Sequence, residues 1–281
     1  MTATPLENQP PMPALPPMPP LLPIALARSH VELLMFVRDR RSLVFTFMFP
    51  LILLLIFGSV FTNDVAPGVT FSQYFVAGMI ASGLVYTGFQ NLAISIPMER
   101  EDCTLKRLAG TSLPRAAYFA GKVALVLVSL IAQVALLLAI GVAFFKVHLP
   151  ATPEKWLTFA WLLLLGLLVC TLLGIAFSSI PKTGRGAPAL VSPVVLVLQF
   201  TSGVFFVYSD LPGWMRQLSS LFPLKWLCQG MRSVFLPDSV MLREPVQSWE
   251  LGRVALVLLL WVGIGAVACA TTFRWQRRNE R

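Results

Sequence analysis

The stretch Pro97-Met98-Glu99-Arg100-Glu101-Asp102-Cys103-Thr104-Leu105-Lys106-Arg107-Leu108 gathers six charged side chains within ten residues, acids first and bases after. Acid before base at about one helical turn predicts a short exposed helix whose acids sit at its positive N-terminal end. Such a set suits charge-assisted contact with another protein, not bond-making chemistry. A phosphate-binding loop needs Gly, four residues, then Gly-Lys-Ser/Thr. The nearest match, Gly121-Lys122, has Ala116 in place of the first Gly and Val123 in place of the hydroxyl. There is no His-Glu-x-x-His and no Gly-x-Ser-x-Gly. His30 and His148 stand too far apart to share a metal, and Cys103, Cys170, Cys228 and Cys269 read as free thiols. The expectation is a chain that is not an enzyme, binds no cofactor or metal, and leaves ATP and magnesium to a separate polypeptide.

The elements that carry this stretch follow from composition. Of 281 residues 56% are hydrophobic and only 12% charged, with a net charge of +9 and a mean hydropathy of +0.75. A soluble chain is about one quarter charged, so this one cannot coat itself in water. The basic residues lie between apolar runs instead of clustering with aromatics, which speaks against nucleic acid as a partner. An integral membrane protein, with the lipid bilayer as solvent, is what remains.

A helix crossing about 30 Å of hydrocarbon needs roughly 20 uncharged residues. Six charge-free gaps meet that length, and they predict spans over about 42–63, 71–97, 118–145, 156–180, 187–208 and 254–273. A seventh gap has prolines at 10, 11, 13, 16, 17, 19, 20 and 23 and cannot span. The chain therefore divides into a flexible, Pro-rich cytosolic tail, 1–23, and an all-α transmembrane domain, 24–281. Six spans put both termini on one side. Fifteen Lys and Arg fall in the pieces that are cytosolic if the N-terminus is inside, against seven in the outer pieces, so the topology is N-in, C-in.

Residues 24–41 read as an amphipathic interfacial helix, with Arg28, Glu32 and Asp39 on one arc and Ala27, Val31, Leu34 and Met35 on another. Between spans five and six, Leu211-Pro212-Gly213-Trp214 and Phe222-Pro223-Leu224 punctuate two short helical stretches rich in apolar residues. These suit helices resting in the outer leaflet, or else a small external cap. In span four Gly166, Cys170, Gly174 and Ser178 recur every four residues and form a smooth stripe for a close helix neighbour. No Asp, Glu, Lys or Arg lies in the six gaps, which argues against a proton- or ion-coupled carrier. The polar side chains within the spans are uncharged: Gln90 and Asn91 in the second, Gln133 in the third, Gln199, Thr201 and Ser202 in the fifth. Each suits an interhelical hydrogen bond or a contact with cargo.

Glu99-Arg100-Glu101, Thr104-Leu105, Arg107-Leu108 and Pro114-Arg115, then Ser202-Gly203-Val204-Phe205-Phe206, Asp210-Leu211-Pro212, Pro223-Leu224 and Gly230-Met231-Arg232 follow one another in an order that resembles the membrane subunits of type-2 ATP-binding-cassette exporters. The resemblance covers nearly everything from Arg28 to Phe273. It implies that Glu99, Arg100, Glu101, Thr104, Leu105 and Arg107 form a coupling element resting on an ATPase subunit, with Arg38 and Asp39 as neighbours. It also implies a pair of permeases, two copies or two paralogues, with Gln90, Asn91, Gln199, Thr201 and Ser202 along the route between them. One departure is Cys103, where the family commonly has Gly; a side chain there predicts a more helical turn. The reading is efflux of an amphipathic drug-like molecule or lipid across a bacterial cytoplasmic membrane. A glycan-exporting permease of the same kind and an ATP-independent transporter or channel stay open as alternatives.

Overall fold

The computed structural model describes residues 20–61, 64–111 and 113–272. The tail up to residue 19 and the end from Phe273 onward lie outside the described residues.

The helices are α1 (Leu21–Arg38), α2 (Arg40–Val60), α3 (Phe71–Leu84), α4 (Asn91–Glu101), α5 (Thr104–Ala109), α6 (Arg115–Phe145), α7 (Pro153–Phe177), α8 (Ala187–Thr201), α9 (Gly213–Ser220), α10 (Pro223–Phe235) and α11 (Leu251–Thr272). A π-helical segment, Val85–Gln90, joins α3 to α4, so that Phe71–Glu101 runs as one rod. Two short antiparallel strands, β1 (Asp64–Ala66) and β2 (Val69–Thr70), join α2 to α3. This hairpin departs from the expected all-α chain, and Gly68 at φ +76° makes its turn.

Five helical segments are long and apolar enough to cross a bilayer: Ser42–Val60, Phe71–Glu101, Arg115–Phe145, Pro153–Phe177 and Leu251–Thr272. The expected fifth span, 187–208, is shorter than the sequence suggested. Its helix stops at Thr201, about 22 Å long at 1.5 Å per residue, and the chain bends at Gly203 with φ +75°. The bend brings the Gly203 carbonyl to Arg232, which donates to it at 2.5 Å. Their outward faces expose large apolar side chains: Ile52, Leu164 and Leu256 are 45%, 58% and 62% exposed. Water would penalise that surface and a bilayer solvates it. Every residue of α3 is buried, as befits a helix apolar all round that stands at the centre.

The chain enters through α1, and two expectations about it change. Its helix begins at Leu21, because Pro23 falls in the first turn, where the missing N–H has no helical partner to lose. It ends at Arg38, where Asp39 breaks away and caps α2 by accepting from the Ser42 N–H at 3.3 Å and the Ser42 hydroxyl at 2.5 Å. The polar arc was expected at the surface. Instead Glu32 is buried against α6, while Leu22, Leu26 and Met35 are exposed. Surface helices of soluble proteins bury the opposite face.

The small stripe on α7 meets the π-helical segment. A Cβ added at Gly174 would stand 2.8 Å from the carbonyl oxygens of both Gly88 and Phe89, and one at Gly166 would stand 2.7 Å from Leu84. The two backbones touch because neither carries a side chain there. Gly174→Ala is expected to cost about 1–3 kcal/mol through forced separation. Gly263→Ala, whose Cβ would meet open space, should be neutral or gain up to about 1 kcal/mol from helix propensity. Thermal denaturation of the purified protein in detergent distinguishes the two.

Candidate functional site

At the end of the bundle that holds α5, the chain must reverse from α4 into a second short helix within two residues, Asp102 and Cys103. Cys103 takes a left-handed conformation, φ +59° and ψ 11°, so the more helical turn expected of a non-glycine is not what forms. Its N–H donates to Arg100 O at 3.2 Å and its carbonyl accepts from the Arg107 N–H at 2.9 Å. Those two bonds hold a backbone that costs about 1–2 kcal/mol for a residue with a Cβ. The acids are also placed differently from expectation. Glu99 and Glu101 close α4, where the helix dipole disfavours negative charge, instead of opening α5. Each has acquired a cation.

Glu99 turns inward. Lys122, seven residues into α6, sits between two carboxylates, paired with Glu99 on α4 and with Glu32 on α1 at 3.0 Å. Arg28 pairs with the other oxygen of Glu32, and the Tyr118 hydroxyl donates to Glu99 at 2.8 Å. The Arg28 and Lys122 charges also stand 5.7 and 5.6 Å from the Tyr118 ring centroid. The Lys122 side chain is 2% exposed and that of Glu32 4%. Two cations and two anions thus balance in a dry pocket, tying three helices. The polar arc on α1 was legible as a pattern, but its partner Lys122 drew notice only in the failed phosphate-loop match.

The remaining residues of the elbow divide between anchors and free surface. Leu105 is fully buried and pegs α5. Arg100 donates to Ser178 O at 3.4 Å. Glu101 accepts the Arg185 N–H at 3.1 Å with the Arg185 guanidinium 3.9 Å away. Lys106 and Arg107 are exposed, Arg107 donating to Asp102 O at 3.1 Å, and Thr104 is half-buried. Arg38 and Asp39 are exposed at the α1–α2 junction. The loop from Pro181 to Gly186 completes the surface and was missed by sequence reasoning; a Cβ on Gly184 would stand 2.6 Å from Met98 Cα. Its one signal was a Gly-containing basic segment between two spans.

Span five meets the π-helical segment inside the subunit through Gln199, not through Gln90 or Asn91. Gln199 is fully buried, its Oε1 accepting from the Tyr86 hydroxyl at 3.0 Å, in the same π-helical segment that ends at Gln90. Thr201 donates to its own helix at Val197 O, 3.0 Å away, and Ser202 is fully buried. Gln90 and Asn91 are half-buried. Gln90 Oε1, Gln199 Nε2 and Ser202 Oγ have no protein partner. At the opposite end of the bundle Arg232 on α10 is 1% exposed; it donates to Glu244 at 3.1 Å and lies 4.2 Å from the Tyr74 ring centroid. Lys225, also buried on α10, donates to Gln229 at 2.5 Å. The six charge-free gaps therefore enclose charges supplied by neighbouring elements. Among the described residues no cluster of His, Cys, Asp and Glu could hold a metal, and the four thiols are unpaired.

Removing one member of the Lys122 cluster leaves a buried charge alone, at a cost of about 3–5 kcal/mol. Lys122→Met should lower the thermal midpoint sharply. Lys122→Met combined with Glu99→Gln should recover much of the loss, because Arg28 and Glu32 still neutralise each other and no uncompensated charge remains; thermal melts of the series in detergent check this.

A family model described as ABC-2 type transporter matches residues 26–236. A Porphyra purpurea protein named as a transport permease, ycf38, is 26% identical over 230 residues, covering 77% of each chain. The matched segment contains the Lys122 cluster, the elbow and the α9–α10 hairpin. With three-quarters of its length accounted for in this way and five helices long and apolar enough to cross a bilayer, the chain belongs to the ABC-2 type transporter family and is a multi-pass membrane transport permease.

Proposed function

We propose that the chain is the membrane subunit of an ATP-driven exporter, in which an ATPase subunit docks on the elbow formed by the end of α4 and α5. The observation that carries the proposal is the contrast within that elbow. Glu99 and Leu105 are committed to the interior, while Asp102, Lys106 and Arg107 face outward on a rigid support. A docking element needs both a charged face and a stiff connection to the spans. Family membership implies an ATPase partner, and the absence of a phosphate-binding loop here agrees with that division of labour.

The full assembly pairs two permeases, copies or paralogues, around the Gln90, Asn91, Gln199, Thr201 and Ser202 region, in a bacterial cytoplasmic membrane. Each subunit crosses it six times with both termini inside, the short α8 and the coil after it serving as the fifth crossing. The α9–α10 hairpin rests in the outer leaflet. This is supported by the Trp261 indole, about 15 Å along α11 from Leu251, donating to Leu221 O in the hairpin's turn at 3.0 Å. ATP binding draws two elbows together and opens a path outward, a two-state switch biased by ligand. Unpaired amide and hydroxyl groups in an otherwise apolar setting fit an amphipathic drug-like molecule or lipid as cargo.

The test is reconstitution with the partner ATPase. Charge reversal of Lys106 and Arg107, or Glu101→Lys, should reduce cargo-stimulated ATP hydrolysis by about tenfold or more, with the permease still folded. Unchanged coupling, or flux that persists under ATP depletion, would reject the reading.

A further inference from the structure

A cavity of about 340 Å³ runs along the outside of the bundle between α7, α8, α11 and the π-helical segment. Its walls are apolar: Val85 and Phe89, Cys170 and Phe177, Val194 and Leu198 among them. On α11 it extends from Trp261 to Thr272, a rise of about 16 Å, and on α7 from Cys170 to Phe177, about 10 Å, continuing into the turn at Ile180. That is half of a ~30 Å hydrocarbon core, the depth of a single leaflet. Phe222, Pro223 and Leu224, at the turn of the α9–α10 hairpin, form its inner stop. The volume is spread along that length, so the slot suits an extended chain. Val194 and Ile180 are 37% and 54% exposed, so the slot is open along its side.

Its other end carries charge. Ile180 leads directly into Pro181-Lys182-Thr183-Gly184-Arg185, in which Lys182 and Arg185 are exposed, the Arg185 side chain 95% so. Two exposed cations in the segment that follows the lining residue Ile180 complement an anionic phosphate esterified to an acyl chain.

We infer that this slot holds one acyl chain of an anionic phospholipid of the α5-side leaflet, its phosphate met by Lys182 and Arg185. The lipid is a resident ligand and not cargo. Its chain packs on Val85 and Phe89, so its occupancy supports the π-helical segment, and its phosphate engages the guanidinium that stands 3.9 Å from Glu101.

The test needs no ATPase and does not depend on the exporter reading. Purified full-length protein is delipidated in mild detergent, supplied with an equimolar mixture of phosphatidylglycerol and phosphatidylcholine, and examined by native mass spectrometry. Retention of one phosphatidylglycerol per chain is expected. Ala268→Trp, which fills the slot, should reduce retention by about tenfold, whereas Leu256→Trp, on an outward face 62% exposed, should not. Lys182→Glu with Arg185→Glu leaves the apolar walls intact and should abolish the preference for phosphatidylglycerol. A phosphatidylglycerol carrying a mid-chain diazirine should cross-link to the α7 and α11 segments that line the slot. Equal retention in both Trp variants, a headgroup preference unmoved by the double charge reversal, or cross-links spread evenly over the outer surface would mean annular lipid only and would overturn the assignment.

Discussion

The ammonium of Lys122 sits out of water between the carboxylates of Glu32 and Glu99, and the arrangement of that end of the molecule depends on it. None of the three could be buried alone, since an unpaired ion in a dry pocket is too costly. Burial therefore requires α1, α4 and α6 to arrive together. Arg28 brings the set to neutrality, and the Tyr118 hydroxyl supplies Glu99 with a further donor. The elbow that follows Glu99 inherits its position from this cluster; the left-handed Cys103 and the buried Leu105 then fix its direction.

Away from the cluster, apolar contact and close backbone approach hold the bundle. Gly174 and Gly88 let α7 and the π-helical segment meet without side chains, and phenylalanines 57, 71, 75 and 205 fill the space between α2, α3 and the coil after α8, with Phe57 and Phe75 stacked at 5.1 Å. In lipid, burying apolar area gains little, so fit and the rare buried polar bond decide which helices associate. The Arg232–Glu244 pair, with the Gly203 carbonyl, plays at the hairpin end the part that Lys122 plays at the other, and it explains why the fifth apolar gap stops being helical at Thr201.

Charge gaps marked from the sequence alone the five helices long and apolar enough to cross a bilayer, and proline punctuation marked the α9–α10 pair, because lipid imposes a length and a composition that each segment must satisfy locally. What stayed hidden was pairing at a distance. Glu32 and Lys122 are ninety residues apart, and no local pattern shows that the polar arc of α1 faces protein while its apolar arc faces outward. The same reason hid the Arg185 loop and turned Glu99 from a surface residue into an anchor. Cys103 was misjudged because propensity for a left-handed residue was weighed without the two-residue limit on the turn, and tertiary demand outweighs 1–2 kcal/mol of local cost.

The central claim is that the elbow and the entry helix form one mechanical unit through Lys122. Hydrogen exchange of the intact protein, compared between wild type and Lys122→Met, tests it most directly. The account expects amides of 21–38 and of 98–109 to lose protection together, with Leu251–Thr272 unchanged. Faster exchange confined to α6, with both other segments as protected as in the wild type, would contradict it.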